Sequence, residues 1–82
     1  MRIPHELQDE FPSEMPFIEQ LTKTNYQFRR LAARYDEVNG NIYRIESEEL
    51  PTTDEVLERL KKRRLKLKDE IATMLTKLER RM

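Results

Sequence analysis

Phe28, Leu31, Tyr35, Val38, Ile42 and Ile45 recur at steps of three and four residues. That period, near 3.5, lays one apolar stripe along a helix that packs lengthwise against another helix. Nothing in the chain alternates apolar and polar residues with period two, so strands are excluded. The stripe runs through Asn39-Gly40, a strong turn signal, and glycine inside a helix costs about 1 kcal/mol relative to alanine. A turn there would throw Ile42 and Ile45 out of register. The spacing therefore predicts one helix over about residues 25–46, opened by the capping-box pattern Thr24-Asn25-Tyr26-Gln27.

Ser47-Glu48-Glu49-Leu50-Pro51 reads as part of a loop over 47–52, and Thr52 with Glu55 repeats the capping-box spacing. Asp54, Glu55 and Glu58 suit the positive end of a following helix dipole, and Lys77, Arg80 and Arg81 its negative end. The second long helix is placed at about 53–81. A short loop between two long helices makes them antiparallel neighbours. The expected fold is all-α: one domain over residues 1–82, an antiparallel, coiled-coil-like helical hairpin. Three prolines, at positions 4, 12 and 16, mark residues 1–23 as an N-terminal arm. Two readings of the arm stand side by side. In one, Ser13 caps a brief helix through about Thr22, with Pro16 in its first turn. In the other, a frayed tail touches its neighbour through Phe11 and Phe17.

A chain of 82 residues with no cysteine has neither disulfide nor thiolate metal site to reinforce a small core. Such chains lean on regular helices, on self-association, or on both. Leu65 and Val56 lie at the margin of the apolar arc, and Phe11, Phe17, Ile18 and Leu21 also need covering, so a dimeric four-helix bundle is an expected assembly. Lysine plus arginine equals aspartate plus glutamate, 16 each, which argues against a non-specific polyanion binder. The charge is nonetheless blocked: residues 48–58 carry five acids and no base, and residues 59–68 carry seven bases and no acid. Blocks of this kind suit charge-matched neighbours within one molecule or between copies. No apolar run exceeds the three residues Leu31-Ala32-Ala33, so no membrane span is expected. Acids at Glu6, Asp9, Glu10 and Glu14 stand where a signal peptide needs an apolar core, which points to the cytoplasm.

The basic run Arg59–Lys68 raises the question of what it faces. At 100° per residue, Leu57, Leu60, Leu67, Ile71, Met74, Leu75, Leu78 and Met82 share one apolar arc. Arg59, Lys62, Arg63 and Lys66 fall opposite as a short stripe, the candidate anion or partner contact. Lys61 and Lys68 flank the arc, where their methylene stems cover it. No aromatic residue interleaves the stripe to stack on bases. It reads first as a solvated or partner-facing surface, with phosphate binding and an acidic protein partner as further readings. Arg64 breaks the rule, occupying the seam step between Leu60 and Leu67. A lone charge on a seam fixes alignment or partner number at a cost in stability. A hairpin folded about residue 50 sets Arg64 opposite Tyr35-Asp36, so the Tyr35 hydroxyl or the Asp36 carboxylate is its expected partner; a guanidinium bent to the rim is the other reading.

Catalytic signals are missing from the sequence. His5 is the only histidine, and no P-loop, dinucleotide-type glycine pattern or serine elbow occurs. No catalytic residue, metal ligand, cofactor or small-molecule substrate is therefore expected, and the carboxylates read as ion-pair members beside lysine and arginine.

Glu10-Phe11-Pro12, Phe28-x-x-Leu31-x-x-x-Tyr35, Ile42 with Ile45-Glu46, and above all Leu60–Ile71 resemble the YdcH-like family. Its members are small bacterial proteins of unknown function, thought to form helical or coiled-coil structures, and the likeness extends over nearly the whole chain. Pro16 and Gly40 are less typical of that pattern. The resemblance implies a bacterial cytoplasmic protein, brings no catalytic residues, and draws attention to Arg64, Lys68 and Asp69. Two functions are expected: a non-enzymatic helical module that binds itself or another helical protein, or a weak nucleic-acid or ribosome-associated factor. The second would use Arg59, Lys62, Arg63 and Lys66 with Arg30 and Arg34.

Overall fold

Four helices are present in the computed structural model, which describes residues 5–49 and 51–81, with side chains from residue 7 onward: α1 (His5–Glu10), α2 (Met15–Thr24), α3 (Tyr26–Glu46) and α4 (Asp54–Arg81). A 3₁₀ turn, Pro12–Glu14, joins α1 to α2. No strand occurs among the described residues. The two long helices pack against each other as the apolar stripes require, and the described chain measures 45 × 22 × 20 Å.

α3 runs unbroken through Gly40. Its cap lies one residue from the expected threonine: Asn25 leaves the helix with φ −124° and ψ 112°, and its Oδ1 accepts from Phe28 N at 2.9 Å. Thr24 instead donates to the Gln20 carbonyl, closing α2. The same one-residue offset recurs at α4, where Thr53, not Thr52, accepts from Val56 N at 3.3 Å. At the end of α3, Glu48 N donates to Ile45 O and Glu49 N to Arg44 O. Those two bonds form a Schellman closure, with Glu48 in the left-handed region at φ 66°.

The arm is helical and packed. Pro16 lies in the first turn of α2, where its missing N–H removes no helical bond. The helix begins after Glu14 with no side-chain cap, so Ser13 does not serve as one. α1 and α2 fold back along the hairpin, and Leu7, Ile18 and Leu21 join Phe28, Ala32, Tyr35, Val38, Ile42, Leu67, Ile71 and Leu75 in one core. Phe11, Phe17, Leu57, Leu60, Met74 and Leu78 pack around its edge. Met82, placed in the arc by spacing, lies outside the described residues. The fully buried side chains are worth about 1.5–3 kcal/mol each in transfer free energy, so the fold-back supplies part of the stability that two helices alone lack.

Candidate functional site

The seam carries the chain's one buried polar residue among those described, Asn39, 8% exposed. Arg64 Nη1 donates to Asn39 Oδ1 at 3.4 Å, a long bond for N–H···O. Arg64 thus finds an amide on α3, and Asp36, which faces solvent, is not its partner. The reason is register. The loop between Glu46 and Asp54 is centred on residue 50, but the helices are staggered along their axes, so Arg64 faces Asn39, three residues and nearly one turn beyond Asp36 on α3.

Tyr35 is buried beside this pair. Desolvation raises its phenol above the ordinary 10.0, opposed in part by a side-chain interaction with Asn39. That contact falls short of good geometry, since Asn39 Nδ2 is enclosed without a hydrogen-bond partner. Glu10 at the end of α1 reaches Lys68 Nζ at 2.8 Å, and this bond raises the lysine above its ordinary 10.5. Lys61 pairs with Glu46 at 3.5 Å across the hairpin. All of these side chains except Glu46, with Asp9 and Leu65, line a cleft of about 380 Å³ between α1, α3 and α4. Its carboxylates stand on α1 and its cations on α4, and the Glu10–Lys68 pair ties the arm to the hairpin. Lys61 and Lys68 flank the arc as the wheel predicts, but the wheel could not name Glu46 or Glu10 as partners.

Among the described residues, a second groove is lined by α3 and α4 alone. Gln27, Arg30, Leu31 and Arg34 line it from α3, facing Glu70, Thr73 and Met74 on α4, around about 420 Å³. It continues into a further opening of about 450 Å³ lined by Arg34, Lys62, Arg63, Lys66, Leu67 and Glu70. Lys62, Arg63 and Lys66 of the predicted stripe therefore meet Arg34 from the other helix; Arg59 does not line this groove and shares with Lys62 an opening beside Asp54, Glu55 and Glu58. All four stripe residues are exposed. Sequence spacing placed the cations on α4 but not the groove, which depends on how α3 is rotated against it. An exposed ring also stands near the groove's α2 end: Tyr26, 66% exposed, with the Arg29 and Arg30 guanidinium carbons 5.8 and 5.9 Å from its centroid.

Among the described residues no three His, Asp or Glu side chains converge on a possible metal position, and no helix is long and apolar enough to cross a membrane. Residues 28–75, the hairpin without its arm, match the model of a family described as a protein of unknown function, DUF465. No curated protein and no solved structure gives a significant match.

Proposed function

From the premise that the chain belongs to the DUF465 family, which includes the YdcH-like small bacterial proteins, we propose that it is a non-enzymatic helical interaction module working through the open α3–α4 groove. The observation that carries this reading is the groove's construction. Cations from two helices rim half-buried Leu31 and Met74, and no described residue of α1 or α2 lines this groove. A helix laid there finds apolar floor and charged walls together, the usual terms of helix-in-groove recognition.

Nucleic acid is the second reading, favoured by Arg34 joining Lys62, Arg63 and Lys66. Phosphate contacts need no apolar floor, and Glu70 lies among the cations, so the first reading fits the site better.

The test is site-specific photocrosslinking in the cells that make the protein. A photoreactive residue at Thr73, inside the groove, is compared with one at Tyr43, 69% exposed on the outer face. The expected result is a discrete protein adduct from position 73 alone. Nuclease-sensitive adducts, or none distinguishing the two positions, would remove the reading.

A further inference from the structure

Resting on that reading, we infer that the groove's occupant is an acidic amphipathic helix from a different protein, seated as an added helix against α3 and α4. Charge selects its sign. Arg30, Arg34, Lys62, Arg63 and Lys66 stand on the walls against the single acid Glu70. Three of those five are arginines, whose planar forks bind carboxylates through two parallel hydrogen bonds. The floor selects amphipathicity, because Leu31 and Met74 pack on the core yet keep part of their apolar surface open to the groove. Met74 also adapts its shape to an incoming side chain. The wall from Lys62 to Thr73 is about 16 Å long at 1.5 Å per residue, room for about three helical turns.

A second copy lacks a segment of this kind. The acidic block at 48–58 contributes Val56, 37% exposed, and Leu57, which already packs on the core. The acids of α1 and α2 sit beside Leu7, Ile18 and Leu21, which are 0%, 0% and 7% exposed. Among the described acidic stretches only Val56 is left exposed, and one valine cannot supply an apolar stripe at steps of three and four, so the complementary helix comes from another chain.

The experiment is fluorescence anisotropy with the full chain and three probes. One is a synthetic helical peptide with leucines at steps of three and four and glutamates flanking them. The second has the same composition with the leucines scattered, and the third is a single-stranded RNA oligonucleotide. The amphipathic peptide is expected to bind about ten-fold or more tighter than the scattered one. The paired charge reversal Arg34→Glu with Arg63→Glu is expected to weaken it about ten-fold or more while circular dichroism stays unchanged. Leu31→Gln, which keeps every charge, is expected to weaken the amphipathic peptide and not the scattered one. Equal affinity for both peptides, no peptide binding, or tighter RNA binding would overturn the inference. A protein crosslinked at Thr73 alongside such a result would leave the interaction module standing and discard only this partner chemistry.

Discussion

Gly40 sits inside α3 at negative φ, and a Cβ added there meets nothing within 4 Å. Glu48, eight positions on, holds the left-handed conformation that glycine adopts without cost. The two residues are placed against their propensities, which is why Asn39-Gly40 looks like a turn in the sequence and Glu48 does not. Gly40→Ala is expected to stabilise the fold by about 0.5–1 kcal/mol. Glu48→Gly is expected to add up to about 1 kcal/mol by relieving the backbone at that closure. Urea denaturation of each variant and of the pair checks both, and the gains should add because the sites share no partner. The seam pair makes a different expectation. Asn39→Ala and Arg64→Ala are coupled through one hydrogen bond, so a double-mutant cycle should show an interaction of about 0.5 kcal/mol or more. The cycle of Asp36→Ala with Arg64→Ala should be additive. Arg64 was legible as the odd seam residue from spacing alone; its partner was not, because the facing position depends on how the two helices are staggered along their axes, which loop length alone does not set.

The helices differ in how plainly they are written. α3 and α4 each carry a stripe over five turns or more, which no local ambiguity at a cap can shift. Their caps fall on Asn25 and Thr53 because either of two adjacent polar residues can supply the oxygen, and packing of the stripe chooses between them. α1 and α2 are six and ten residues long, too short for periodicity to declare them and too short to hold without tertiary contacts. What fixes α1 is Leu7 in the core and Glu10 on Lys68, and neither contact can be read from local sequence. The same element sets the response to alkali. Lys68 titrates above 10.5 when folded, so its contribution is complete below that value and is lost as pH rises through the raised one. Buried Tyr35 keeps its proton past 10.0 while the unfolded chain releases it, so folding also weakens upward from there. Both effects have one sign. Thermal melts are expected to fall above about pH 10, and less steeply for Tyr35→Phe with Lys68→Met.

At the scale of the whole chain, the question is what covers the apolar surface that a two-helix core leaves over. Composition alone suggests a second copy. In the fold, α1 and α2 take that place along one side, turning Phe11, Phe17, Ile18 and Leu21 toward the hairpin. Among the described residues, the large apolar side chains left exposed are Tyr26, Tyr43, Val56 and Leu65, dispersed over both long helices rather than gathered into a patch. Dispersed residues of this kind do not drive association. The chain is therefore expected to sediment as a single 10.0 kDa species, elongated in keeping with its 45 Å length. Unseating α1 should change this. Leu7→Asp puts a charge into a fully buried position, which α1 can relieve only by leaving the hairpin. The side it leaves bare holds Tyr35, so the variant is expected to associate with rising concentration while keeping its helical circular dichroism. Surface substitution Leu65→Asp, at a position already 59% exposed, controls for charge alone and should remain monomeric. If the unaltered chain sediments as a dimer, or Leu7→Asp stays monomeric and folded, the arm is not what stands in for a second copy.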